Sequence, residues 1–217
     1  YGGSTAFGGY NASIKETGDI GWLAGAAFQI PDIALKASVT YRSEIEHSVN
    51  VKESFNSAGL FAALNAAPSL DTDITTPQSV NLDFQTGIMA NTVAFANVRW
   101  VDWSNFSIQP YKFGIASKNA IVQGQTGKPE FDLVAYTDDQ ISATVGVGRK
   151  LNDQWAGNVS VGWDSGAGNP VTTLGPTEGY WNLGLGAQFS PTPQTFIAGG
   201  VKYFWLGDAK AQSAAQF

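Results

Sequence analysis

The chain has 217 residues, no cysteine and a formal net charge of -6. That excludes a disulfide framework, thiolate metal sites and cysteine nucleophiles, and it argues against a nucleic-acid partner, which would require a basic stripe. Only 14% of residues are charged while 12% are aromatic and 25 are glycine, a composition too poor in charge for an ordinary water-exposed surface.

No apolar run approaches the roughly 18 residues of a membrane-crossing helix. The pattern is one of long strands. The first is expected over 19–30, followed by a tight turn at Pro31-Asp32. Residues 33–47 then alternate. Ile33, Leu35, Ala37, Val39, Tyr41 and Ile45 share one face, while Lys36, Ser38, Thr40, Arg42, Glu44 and Glu46 share the other. Period two with one apolar and one polar face marks a half-buried strand. His47 is the only histidine. It continues the parity of Ile45 and is expected to face outward, which leaves no serine–histidine catalytic unit.

A long loop follows over 48–77. Within it Leu60, Phe61 and Leu64 recur at helical spacing with Ser57 as a cap, so one short helix is expected. Two readings stand side by side. Phe55, Leu60, Phe61 and Leu64 form an apolar landing groove for a greasy ligand, or the helix packs against other loops and closes the mouth of the fold.

Strand 78–89 sets Val80, Leu82, Phe84 and Ile88 against Asn81, Asp83 and Gln85. A tight turn at Met89–Asn91 leads to strand 92–106 and then a long loop over 107–137. Further strands are expected over 138–151, 155–164, 179–190 and 194–206. Tight turns at Asn152–Gln154 and Pro191–Pro193 and a longer loop at 165–178 separate them. Gly146-Val147-Gly148 and Gly184-Leu185-Gly186 lie inside strands with no helix after them, so neither is a phosphate loop.

Short and long connections therefore alternate without exception. Transmembrane barrels keep that order because turns on one side are short and extracellular loops are long, whereas a soluble sandwich has no reason to. Trp22 and Trp155 near strand starts, and Trp100, Trp103, Trp163 and Trp205 near strand ends, fit two interfacial girdles. The fold class is all-β: a transmembrane antiparallel up-and-down barrel with long extracellular loops. No signal peptide is visible at Tyr1, and 209–217 reads as loop, so both ends are expected to be incomplete.

Parity points Arg42, Phe95, Arg99 and Lys202 into the lumen, with Trp103 by the same count. A cation beside an aromatic would hold a carboxylate head while apolar walls take a tail. The alternative is a lumenal ion-pair network in which Arg42 is answered by Glu44 or Glu46, with Lys36 nearby.

Four segments in register carry a resemblance to a known family: Gly21-Trp22-Leu23-Ala24-Gly25, Thr40-Tyr41-Arg42-Ser43-Glu44, Trp100-Val101-Asp102-Trp103-Ser104-Asn105-Phe106 and Tyr180-Trp181-Asn182-Leu183-Gly184-Leu185-Gly186. They are similar to strands of the FadL family of outer-membrane transporters of long-chain fatty acids and aromatic hydrocarbons. The resemblance runs from about Gly21 to Asp208. It implies a monomeric barrel of fourteen strands plugged by an N-terminal hatch, with capture by extracellular loops and sideways release into the membrane. About eight strands are visible here. On that alignment residues 1–217 form a single barrel domain lacking the hatch, the early strands and the closing strand.

One departure stands out. Fatty-acid members align a basic residue where this chain has Thr137-Asp138-Asp139-Gln140, and two acids there would repel a carboxylate. Asp138 and Asp139 with Asp71 or Asp73 have the ligand type of a calcium site, but solvated loop acids are the simpler reading, and neither metal nor cofactor is expected. The function expected is passive outer-membrane transport of hydrophobic molecules in a Gram-negative bacterium. Such a protein would be a non-enzyme in contact with lipid and lipopolysaccharide. The alternatives are a general porin for small polar solutes and a soluble β-sandwich.

Overall fold

The computed structural model describes residues 9–15, 17–171 and 178–210. In chain order the elements are β1 (Asn11–Ile14), β2 (Leu23–Ile30), β3 (Leu35–Arg42), β4 (Ile45–Ser54), β5 (Asp71–Thr76), β6 (Ser79–Met89) and β7 (Thr92–Val101). Then come β8 (Ser107–Ile108), α1 (Tyr111–Ser117), α2 (Ala120–Thr126), β9 (Val134–Ala135), β10 (Gln140–Lys150), β11 (Trp155–Asp164), β12 (Tyr180–Thr192) and β13 (Thr195–Leu206).

Eight strands form one antiparallel sheet in the order β2-β3-β6-β7-β10-β11-β12-β13, each beside its predecessor in the wall. All eight expected wall strands are present. The sheet is not closed: β2 and β13 are its edges. Among the described residues no helix is long and apolar enough to cross a membrane.

The two faces differ as the alternation requires. Along β12, Trp181, Leu183 and Leu185 are exposed while Asn182 and Gly184 between them are buried. Val145 and Leu185 are 57% and 54% exposed, whereas Ser160 and Asn182 on the opposite face are 8% and 4% exposed. The apolar row therefore stands on the open, outer side and the polar row on the occluded, inner one. A water-soluble sheet would do the reverse, because apolar area removed from water is what stabilises it. Aromatic pairs mark both ends of the outer face. Trp22 sits 4.9 Å from Tyr41 and Tyr203 4.8 Å from Trp205 toward the long loops, while Trp155 sits 4.8 Å from Phe189 beside the tight turns.

Three sequence expectations need correction. The strand expected over 33–47 ends at Arg42. Ser43 N bonds back to the Trp22 carbonyl, and the chain leaves the wall to begin β4 in a separate sheet of order β1-β4-β5. Ile45 and His47 consequently belong to the loop region, and His47 Nδ1 lies 3.0 Å from an Asp19 carboxylate oxygen instead of continuing the outer face. Periodicity missed the exit because β4 is itself a half-buried strand with the same period. The helix expected from Ser57 is a 3-10 turn at Ala62–Ala66. Asn56, not Ser57, caps the preceding bend through its bond from Ala58 N, and Asn65 closes the loop by bonding both Phe55 N and Phe55 O. Arg42 makes no ion pair with Glu44 or Glu46 among the described residues; Glu46 has left with the loop sheet, and Glu44 lies in the connection that leads to it.

The 107–137 loop carries two helices, α1 and α2, where the sequence pattern predicts loop. Each is only seven residues long and contains a glycine, Gly114 or Gly124, too short for a periodic signal.

Candidate functional site: the inner wall and its loop cap

The loops fold into a cap with its own core. Phe55, Phe61, Phe113, Ala116, Val122 and Phe131 are buried together, with Tyr10, Leu64 and Leu133 packed against them. The centre of the cap is polar. Glu53, at the end of β4, is buried and accepts bonds from Lys112 N and Phe113 N (2.8 Å each) and from the Tyr10 hydroxyl (2.9 Å). A carboxylate there satisfies amides that open α1. It also ties the β1 segment, β4 and the second long loop to one point. Burial, reinforced by the adjacent Glu53, pushes the Tyr10 phenol well above the usual tyrosine range.

Of the four cap residues singled out from sequence, Phe55 and Phe61 are core, with rings 5.5 Å apart, and Leu64 is partly buried beside them. Leu60 is different: it is exposed, like Tyr111, Ile115 and Ile121 of the two helices. Packing accounts for the first three, and an outward apolar surface is left to Leu60 and the helices.

On the wall, strand register converts parity into place. Phe95 is opposite Gly146, Gly146 opposite Ser160, Ser160 opposite Gly184, and Gly184 opposite Lys202. Phe95 and Lys202 thus share one inner row. A Cβ on Gly146 would collide with the Phe95 ring, and one on Gly184 would meet the Lys202 stem, so both side chains lie folded across glycines. The partners of these glycines across the sheet show what they make room for. Arg99 occupies a row nearer the long loops, opposite Asn81 and Ser142, and Arg42 lies opposite Ser79 at the loop end of β3. Neither arginine nor Lys202 forms an ion pair among the described residues. The inner polar contacts are neutral-to-acid bonds instead: Asp83 accepts from Asn97 (2.7 Å) and Ser38 (3.5 Å).

Trp103 begins a 3-10 turn after β7, and its ring lies 4.8 Å from Tyr136 and 5.3 Å from Phe106. Trp103 Nε1 donates to Gln140 Oε1 (2.9 Å), and Gln140 Nε2 donates to both Asp164 oxygens (2.9 and 3.0 Å). Gly166 N adds a third bond to Asp164, which is buried. Sequence reasoning found Trp103 but missed Gln140 and Asp164. The inward parity of Asp164 was the available signal.

Asp139 is absorbed into structure. It accepts from Ser104 Oγ (2.7 Å) and Trp100 Nε1 (2.9 Å), and the Ser104 hydroxyl followed by Trp100 holds its carboxyl below the usual range. Among the described residues Asp138 and Asp139 do not gather with Asp71 or Asp73 into a cation site. On the inner wall toward the tight turns, a trough of about 1160 Å³ runs between the turn at Pro31–Ala34 and the inner side chains Phe95, Asn158 and Gln188.

The family model described as "Outer membrane protein transport protein (OMPP1/FadL/TodX)" matches residues 11–216. Among solved structures the chain is similar to the "CymD monoaromatic hydrocarbon channel", with a TM-score of 0.52 and 14% identity. That alignment covers 87% of this chain and 47% of the channel, so the chain spans about half of that protein's length. No curated protein matches the chain. At this identity the likeness establishes the fold alone.

Proposed function

We propose that this chain, which belongs to the FadL/TodX family of outer-membrane transport proteins, forms the wall and loop cap of a passive channel for hydrophobic molecules. The observation that carries the reading is the inverted sheet, with an apolar outer face suited to acyl chains and a polar, glycine-bearing inner face. Unpaired strand edges are untenable in lipid, so in this reading β2 and β13 are continued by further strands into one closed barrel domain.

Passage needs no energy source, because a hydrophobic solute moves down its own gradient through a wall that shields it from the polar lipopolysaccharide layer. The exposed surface around Leu60, Tyr111, Ile115 and Ile121 supplies a first contact for such a solute. Phe95 and Lys202 on one inner row, and Arg42 and Arg99 nearer the mouth, supply lumenal contacts. Fatty acids and aromatic hydrocarbons are both admissible at this level. The protein acts as a monomer in contact with outer-membrane lipid and lipopolysaccharide, without enzymatic activity.

The test is flux through the purified protein in lipid vesicles. Uncharged hydrophobic probes are expected to enter faster than into protein-free vesicles, while sugars cause no swelling. Rapid sugar-driven swelling with no gain for hydrophobic probes would identify a general porin and refute the proposal.

A further inference from the structure

At the loop end of the inner wall, Trp103, Tyr136 and Tyr180 enclose a cavity of about 180 Å³ whose polar side is Gln140 and Asp164. We infer that this cavity is a charge-selective site that admits one uncharged aromatic ring and turns away carboxylates, with Asp164 setting the discrimination. The inference rests on the transport reading above and adds to it the residue that sets selectivity by charge.

Size comes first. Cavities of roughly 150 Å³ take benzene, whereas elongated or drug-sized ligands occupy roughly 300 Å³ and more. The space fits one ring and excludes a folded acyl chain. Its floor cannot easily widen. Gly166 and Gly179 both adopt positive φ (73° and 62°), and a Cβ on Gly179 would strike the Asp164 carbonyl oxygen.

The polar groups decide charge. Trp103 N–H is spent on Gln140, and the Gln140 amide is spent on Asp164. Gln140 is therefore held at both ends and aims the carboxylate. Asp164 accepts three bonds, all from neutral groups, and no lysine or arginine is among the described residues lining the cavity. A buried anion without a cationic partner repels a second anion strongly, because little water screens the pair. An uncharged ring meets no such penalty. Its positive edge suits the carboxylate and its face suits Trp103 and the two tyrosines.

Two cations come near. One is Lys210, whose carbonyl accepts from Val171 N at the edge of the cavity and whose side chain makes no ion pair among the described residues. The other is Arg99. It shares an inner row with Asp164, but Ser142 stands between them in register. Two strand spacings put the two residues about 10 Å apart. Arg99 neither lines the cavity nor pairs with Asp164.

The experiment is ligand-observed NMR on the purified protein in detergent, with toluene and benzoate as probes, alongside vesicle flux of the same pair. The wild type is expected to hold toluene and to bind benzoate roughly 100-fold more weakly, the scale of a like-charge contact. Asp164→Asn removes the charge and keeps one acceptor oxygen, the other position becoming an NH2 donor, and should lift benzoate binding toward that of toluene while changing toluene only a few-fold. Ala167→Leu, which fills the cavity without touching the Asp164 bonds, should abolish toluene binding. Should Asp164→Asn fail to fold, the wild-type comparison and Ala167→Leu decide the matter. Benzoate held by the wild type as tightly as toluene, unchanged discrimination in folded Asp164→Asn, or undiminished toluene binding in Ala167→Leu would each overturn the assignment. Selective binding with no flux of either probe would refute transport and leave the site standing.

Discussion

Val39 and Thr40 are chain neighbours on opposite faces of β3, and substituting each with arginine separates the lipid-facing reading from any soluble alternative. Val39 lies opposite Leu82 of β6, which has eleven residues. A rise of about 3.4 Å per residue and a tilt near 45° give roughly 2.4 Å of depth per residue. The strand then spans about 26 Å, close to the ~25 Å apolar band of outer-membrane barrels. Leu82 is the fourth residue of β6, so Val39 sits about 7 Å below the loop-side rim and roughly 5 Å short of the midplane. An arginine costs about 2–4 kcal/mol at the midplane and almost nothing at the interface, which places Val39→Arg, a little over halfway from rim to midplane, at about 1–2 kcal/mol. Thr40→Arg points into the polar interior and should cost less than about 1 kcal/mol. Urea titration of the protein refolded into lipid vesicles, read by heat-modifiable gel mobility, measures both. Equal costs, or a larger cost for Thr40→Arg, would mean that the faces are assigned the wrong way round.

Other outcomes follow from the cap and the inner wall. Glu53→Ala removes three bonds to a buried carboxylate and should loosen the cap by about 2–4 kcal/mol. Faster amide exchange at Lys112 and Phe113, with the barrel still resistant to heat, would register it. The cap should also weaken at high pH. The Tyr10 phenol is raised in the folded state, so its contribution is complete below the ordinary tyrosine value of about 10 and is lost as pH climbs through and beyond it; protease sensitivity of the loops against pH follows the loss. Leu60→Asp alters an exposed apolar residue and should slow hydrophobe uptake while leaving loop proteolysis unchanged. Phe61→Asp strikes the cap core and should change both. Gly146→Ala forces the Phe95 ring off the wall at about 1–3 kcal/mol, visible as a lower urea midpoint.

The sequence alone determined the wall. Period-two alternation in segments such as 33–47 and 78–89, with tight and long connections in strict rotation between eight long segments, specifies an up-and-down sheet with one apolar and one polar face, because both signals are local and repeat along the chain. It also placed Arg42, Phe95, Arg99 and Lys202 on the inner face, since parity within one strand is sufficient for that. Only the tertiary structure decided which of those residues share a row, because register depends on pairing between segments far apart in the chain. The same limit hid the cap. Glu53 is unremarkable in its own neighbourhood and becomes a junction only when Tyr10 and the start of α1 arrive from either side of it in the chain. The period of 33–47 ran on past Arg42 because a strand that leaves one sheet for another keeps its alternation. Asp164 followed the same logic: its parity was legible, but the cavity around it is assembled from four separate segments, and only their packing brings a carboxylate and three aromatic rings to one point.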